Sequence, residues 1–539
     1  MVYARVETKS TTNQRLLQYG LLAILVILGF GLRVAYLDRQ GIGMRDEAWH
    51  AFAARGALNR IARGVPHATQ PLLRFEQVSS NFSFYEDTSS NNVSGKPLFV
   101  VLLASAVWLW GRWEMLPLLG VSVAAGTLTI PAMYAAARRI GLRATGASLC
   151  ALLAATMLGF VIFARLNFVH ALLMLYLALA LWAYAGTFRG QLSVWDAILT
   201  GLMLGFALAT DPSFVIVAAA FACIELGYQV WLLRHHQRKM MWRRIAWLGI
   251  GGAVPLSLFE LGYYIGHRVL PQGGVRSITG SFVGDVAHHG AEVAGSGMYG
   301  IEDLMFYPLF LVGMGGILVV LMAGLGAWSV PRRRELRFAL PAILFGLIFL
   351  FAEMSPFKAG RSAVALIPLM TFMAGAGWEA LSDLAKKQPR WHTGLAGLFL
   401  AAVMGYNLWA DVRLLQLSSG WFAVREFFAS RPQARIVVNE ISDNALFAFY
   451  AGKPVILSLN PRVLKPGDYY ATVGTYRPPG WEAYSRDRAV AIFANPSQVF
   501  RPLKAVGGAW TLIPWWVLDY GPPRSFLPGD DELMIFQVP

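Results

Sequence analysis

Eleven apolar stretches dominate this chain, each long enough, or nearly so, to cross a lipid bilayer as a helix. They cover residues 16–37, 117–137, 145–163, 169–187, 194–210, 213–233, 245–264, 304–330, 338–353, 361–382 and 393–411. Hydrocarbon offers backbone N–H and C=O groups no water, so such stretches must close their hydrogen bonds internally, as helices. Composition agrees. Mean hydropathy is +0.49, and 14% of residues are charged, well below the quarter usual in soluble domains. The expected fold is a polytopic α-helical membrane protein with about eleven crossings. No small-residue cleavage site follows the first stretch, which is expected to stay as a membrane helix rather than be removed as a signal peptide.

The basic residues set the expected topology. Arg138, Arg139 and Arg143, then Arg189, then Arg234 through Arg244, then Arg332, Arg333, Arg334 and Arg337, then Lys386, Lys387 and Arg390 fall in connections on one side. Cytoplasmic loops concentrate Lys and Arg. The N-terminal tail is therefore expected inside and the region after 411 outside. The same loops account for the net charge of +15, which needs no nucleic-acid partner. Both cysteines, Cys150 and Cys223, fall in apolar stretches and read as packing residues.

Residues 97–111 are apolar but short for a crossing, and a crossing there would reverse every later basic loop. They are expected to form a juxtamembrane or partly inserted outer helix ending at Gly111. The alternative is a short crossing that breaks the charge rule. Three outer pieces follow: the loops 38–116 and 265–303, and the segment 412–539. The first domain is thus 1–411, the membrane part. The second, 412–539, reads as a small α/β extracytoplasmic domain, with strands at 434–439, 455–459, 468–473, 490–493 and 532–538 and a helix at 442–452.

Chemistry-bearing residues gather in the outer turns. Asp46 and Glu47 open a helical pattern over 46–63, with Trp49, Phe52, Leu58 and Ile61 as its apolar contacts and His50 one turn on. Acidic groups suit a helix's first turn, so capping and catalysis both fit. Lys96 stands before Pro97, a residue that starts helices well, and reads either as a phosphate ligand or as a snorkelling lysine. Lys358 and Arg361 occupy a short outer turn where positive charge is unexpected, and such groups match phosphate oxygens. Arg165, Asn167 and His170 share another turn, with His170 read as solvated. Asp211 precedes Pro212 and suits a helix cap. His267, Asp285, His288, His289 and Glu292 match no standard ligand spacing, so no metal is expected. Asn81 and Asn92 begin sequon matches that matter only in a eukaryotic lumen.

Taken in order, these features resemble the membrane-embedded GT-C glycosyltransferases, in particular the branch of protein O-mannosyltransferases and bacterial lipid A aminoarabinose transferases. The resemblance rests on Asp46-Glu47 after the first span, Gly95-Lys96-Pro97 before an apolar helix ending at Gly111, the turn from Arg165 into a Leu/Ala-rich helix, and Lys358-Ala359-Gly360-Arg361 before a late span. It covers about residues 16–410. Relatives often carry Asp where this chain has His170, Lys-Pro-Pro where it has Lys96-Pro97-Leu98, and a basic residue near Asp211.

The resemblance implies an enzyme of the bacterial cytoplasmic membrane. It would move a hexosyl or pentosyl group from a polyprenyl phosphate to an acceptor hydroxyl on a lipid, polysaccharide or protein, with inversion and without a metal or other cofactor. Asp46 is implied as general base and Glu47 as orienting group. Lys96, Lys358 and Arg361 are implied to bind the donor phosphate, and His50, Arg165, His170 and Asp211 to line the pocket. Three other readings remain at this point: a flippase or transporter for lipid-linked sugars, a polysaccharide polymerase or ligase using the same lipid donors, for which the 265–303 loop is short, and a non-catalytic scaffold of the same fold.

Overall fold

The computed structural model describes residues 12–42, 45–64, 96–188, 193–269, 281, 283–284, 306–333, 335–354, 363–385, 389–416, 419–438, 441–453, 455–457, 461–473, 481, 483–494 and 532–539. The membrane part comprises α1 (Thr12–Val34), α2 (Leu37–Gln40), α3 (Arg45–Gly64), α4 (Pro97–Trp110), α5 (Met115–Ile140), α6 (Ala144–Thr156), α7 (Leu158–Ala164), α8 (His170–Gly186) and α9 (Val194–Thr210). It continues through α10 (Val215–Arg234), α11 (Arg238–Val269), α12 (Phe306–Gly315), α13 (Ile317–Arg333), α14 (Leu336–Met354), α15 (Leu366–Ala385) and α16 (Pro389–Leu415).

Among the described residues the expected spans fall on helices, though 145–163 is divided at Met157 and 304–330 at Gly316. Among the described residues five are long and apolar enough to cross a membrane: Leu16–Gln40, Met115–Ile140, Pro212–Arg234, Arg238–Tyr264 and Leu336–Glu353. The pair α6–α7, bent by 47°, makes a sixth. The bend sits at Met157, whose extended backbone stops α6 and whose N–H still closes on Leu153. The membrane-facing flank of α1 exposes Leu16, Leu17, Leu21, Ile24, Ile27 and Phe30, a stripe that suits lipid rather than water. In contrast α8 is apolar all round and buried along nearly its whole length, as befits the centre of a bundle.

The 97–111 segment is a helix, begun by Pro97 and ended by Gly111 in the left-handed region at φ 75°. Cys150 is buried and its thiol meets the Thr371 carbonyl, whereas Cys223 is exposed, so only the first packs as expected. Glu225, an ionisable group within an expected span, is paired with the buried Arg244 at 2.7 Å and takes the Tyr184 hydroxyl at 2.8 Å. That pairing satisfies it without a polar path. At the basic end, Arg143 meets Asp383 and Arg333 meets Glu379, so carboxylates of α15 hold two of the basic loops together.

The C-terminal segment contains α17 (Trp421–Ala429), β1 (Ile436–Val438), α18 (Ile441–Ala451), β2 (Val455–Leu457), β3 (Tyr469–Val473), β4 (Ala491–Ala494) and β5 (Glu532–Gln537). Its strands form one mixed sheet in the order β2-β1-β3-β5-β4. The β1 strand pairs in parallel with β2 and β3, and β5 pairs antiparallel with β3 and β4. Period-two alternation divides its faces. Ile436, Val438, Ala471, Leu533 and Ile535 join the main core, which runs without a break into the membrane helices. Val437, Tyr470, Met534 and Phe536 pack with Trp481 on the other face.

Close helix packing is clearest between α13 and α15. A Cβ at Gly326 would fall on the Met373 carbonyl, and one at Gly377 on the Met322 carbonyl. Two glycines thus let the backbones touch, as small residues do between membrane helices. Gly326→Leu is therefore expected to destabilise the protein by about 1–3 kcal/mol or more through overpacking. Thermal unfolding in detergent checks this, with the exposed Gly324→Leu, where a Cβ meets open space, expected to change little.

Candidate functional site

Four chain segments meet at the end of the bundle where α1 finishes. The start of α3 supplies Glu47 and His50, three apart and so on one helix face. Lys96 comes from the start of α4, Asn167 and Phe168 from the turn between α7 and α8, His170 from the first residue of α8, and Asp211 from the turn after α9.

Glu47 and Asn167 form the hub. The Asn167 backbone N–H donates to Glu47 Oε1 at 2.7 Å, and its side-chain amide donates to the Glu47 backbone carbonyl at 2.8 Å. Both residues are fully buried. The Asn167 carbonyl faces His50 Nδ1 at 3.2 Å. A carbonyl can only accept, so that geometry assigns the imidazole hydrogen to Nδ1 and leaves the Nε2 lone pair for Lys96 Nζ, 3.4 Å away. Lys96 also pairs with Asp211 at 3.5 Å and lies 5.3 Å over the Phe168 ring. Asn167 Oδ1 is buried without a hydrogen-bond partner among the described residues.

Asp211 takes the Ser213 N–H at 2.8 Å, a local turn that a short side chain before Pro favours. Burial pushes its carboxyl up, but Lys96, Ser213 and His170 outweigh that and hold it down at about 2. The expected helix cap is present, and Asp211 is also the counter-ion of Lys96. Aromatic rings wall the cluster. His50 meets Phe99 and Phe168 edge-on at 5.2 and 5.4 Å. His170 stacks on Phe168 at 4.6 Å and meets Phe163 at 4.8 Å, so it is buried, not solvated. The dense aromatic spacing around 163–170 is what removes it from water.

Arg165 takes a different place. Its Nη1 donates to the carbonyls of Leu32, Arg33 and Ala35, and its Nε to Gln40 Oε1. It therefore satisfies the unpaired carbonyls at the end of α1. Arg33 does the same for Ala154 and Ala155, beside the α6–α7 bend. Sequence alone does not distinguish a guanidinium aimed at substrate from one aimed at a helix end.

Asp46 lies in the first turn of α3, one residue from the hub; its side chain is outside the described residues. Lys358 and Arg361 lie outside them too, as do Asn81, Asn92, Asp285, His288, His289, Glu292 and the side chain of His267. Asn167 was legible as one polar residue of an outer turn; its role as hub was not, since its partner stands 120 positions away.

No protein-family model and no curated protein sequence matches the chain. Solved structures do. ArnT from Cupriavidus metallidurans bound to undecaprenyl phosphate is 15% identical, with a TM-score of 0.56, covering 86% of this chain and 93% of that one. Its apo form gives 14% and 0.51, covering 86% and 94%. The archaeal oligosaccharyltransferase AglB from Archaeoglobus fulgidus, in complex with an inhibitory peptide and a dolichol-phosphate, is 11% identical at a TM-score of 0.52. That match covers 83% of this chain, which spans 65% of the archaeal chain's length. These are GT-C superfamily glycosyltransferases, and the likeness establishes that this chain has the GT-C fold.

The Asp211 geometry makes a pH-dependent prediction. A carboxyl held down in the folded state stabilises the fold above its unfolded pKa, near ~3.9, and loses that contribution as pH falls through about 2. Asp211→Asn is expected to cost on the order of 3 kcal/mol, because it strands Lys96. The cost should be constant down to about pH 4 and shrink below it. Unfolding of both proteins across pH measures this; a gap that closes between about pH 8 and 5 contradicts it.

Proposed function

We propose that the protein is an integral-membrane glycosyltransferase that moves a sugar from a polyprenyl phosphate to an acceptor hydroxyl at the outer face of a bacterial cytoplasmic membrane. The observation that carries this reading is the convergence of Glu47, Asn167, His50, Lys96 and Asp211 from separate segments, next to Asp46, in a GT-C fold. The neighbour bound to undecaprenyl phosphate and the one bound to dolichol-phosphate support the donor class. In this reading the N-terminus is cytoplasmic and 412–539 is the extracytoplasmic domain.

The chemistry follows from where charge moves. The acceptor oxygen attacks the anomeric carbon as the bond from that carbon to the phosphate oxygen breaks. The electron pair leaves on the phosphate, and the acceptor proton goes to Asp46. One displacement inverts the anomeric carbon. A general base contributes about 10²–10⁴ in rate. Glu47, tied to Asn167 at two points, does not act as the base; it fixes the turn on which Asp46 stands. Lys96, with Lys358 and Arg361, stabilises the negative charge that builds on the leaving phosphate. A phosphate leaving group held by these cations needs no separate acid. Asp211 and His50 hold the Lys96 ammonium in place until the phosphate competes for it.

The test is release of polyprenyl phosphate from a panel of polyprenyl-phosphate sugars, with an outer-envelope extract as acceptor source. Asp46→Asn is expected to lower turnover about 10²–10⁴-fold, and Lys96→Ala to raise the donor KM. Unchanged release by Asp46→Asn would sink the base assignment. No release from any donor, with lipid still bound, would favour flipping or scaffolding, and a labelled-lipid flip assay in vesicles separates those two.

A further inference from the structure

One side chain of the C-terminal segment hydrogen-bonds deep into the membrane part. Tyr450, near the end of α18, both accepts from the Ile42 N–H and donates to the Ile42 carbonyl, each at 2.7 Å. The two residues are 408 positions apart. Ile42 lies four residues before Asp46 and five before Glu47, and Ile42 and Tyr450 are both buried. These two hydrogen bonds grip the N–H and the C=O of one residue, and so fix the peptide units on both sides of the Ile42 Cα.

The surroundings are built for that grip. The Tyr450 ring stacks on Trp421 at 5.7 Å and meets Phe422 edge-on at 5.6 Å. Gly41, in the left-handed region at φ 67°, lies against the phenol so closely that a Cβ would strike its oxygen. The Ser419 N–H donates to the Arg39 carbonyl at 3.0 Å, a second tie to the same stretch of chain. Next to Tyr450, Phe449 packs on Phe52 of α3 and on Trp113. Burial, and then the Glu47 carboxylate, push the phenol well above its ordinary pKa, so it keeps the proton it donates.

We propose that Tyr450 is a positioning residue, through which docking of the C-terminal domain sets the place of the Asp46–Glu47 turn and so controls transfer. This rests on the proposed function. Without the clamp the start of α3 keeps its hold on Asn167 but loses the constraint on the chain that enters it. The base then drifts from the acceptor hydroxyl, an effect on kcat rather than on donor binding, since Lys96 and Asp211 belong to other segments.

The experiment uses the full chain in detergent or nanodiscs and reads release of polyprenyl phosphate from whichever donor the wild type turns over. Tyr450→Phe keeps the ring and removes both bonds. It is expected to lower kcat on the order of 10- to 100-fold, with the donor KM within about two-fold. Gly41→Ala, which drives the phenol off from the other side, is expected to do the same. The discriminating reading is the double variant. If Tyr450 acts through the base, Tyr450→Phe adds less than about two-fold to the loss in Asp46→Asn, a non-additivity that general loss of folded protein does not produce. Full additivity, or a wild-type kcat in both single variants, overturns the proposal. If Asp46→Asn itself keeps full activity, the functional reading has failed instead, and that arm is read separately.

Discussion

Glu47 and Asn167 hold each other at two points, carboxylate on backbone N–H and backbone carbonyl on side-chain amide. Everything at this end of the molecule hangs on that contact. It joins the start of α3 to the turn between α7 and α8, and it leaves the Asn167 carbonyl aimed at His50. His50 in turn presents its lone pair to Lys96, and Lys96 reaches Asp211. A chain of partners thus links four helix starts or turns.

The wider constraint is the bilayer. Uncapped carbonyls cannot be left in hydrocarbon, and charges there cost about 2.5–3.5 kcal/mol each on insertion scales. This chain meets both demands with the same residues. Arg33 and Arg165 are fully buried, and each directs part of its guanidinium to carbonyls at the end of α6 or α1. A guanidinium beside a helix C-terminus also meets the negative end of its dipole. Phe449 of α18 packs with Phe52 of α3 and with Trp113, joining the C-terminal segment to α3.

Much of this architecture is written locally. The apolar stretches fall on helices, apart from breaks at Met157 and Gly316 that the sequence did not announce; Gly111 ended its helix where the sequence placed the end, and all five strands fell where alternation placed them. Local signals suffice there because backbone partners lie within a few residues or follow from period. The candidate site was legible only in part. Glu47, His50, Lys96, His170 and Asp211 do converge, but Arg165 turned to helix ends and His170 is sealed between Phe163 and Phe168. Tyr450 and Asn167 were not legible as structural hubs at all, because their partners are 408 and 120 positions away. No periodicity carries contacts of that range.

In the proposed function a lipid phosphate sits against Lys96 within this cluster. The most direct measurement is crosslinking with a polyprenyl phosphate carrying a photoreactive group beside the phosphate, followed by peptide mapping. The account predicts label on the peptides containing Lys96–Phe99 and Asn167–His170, reduced in Lys96→Ala and competed by unlabelled polyprenyl phosphate. Label confined to the lipid-facing flanks of α1 or α10, and unchanged by Lys96→Ala, would contradict it.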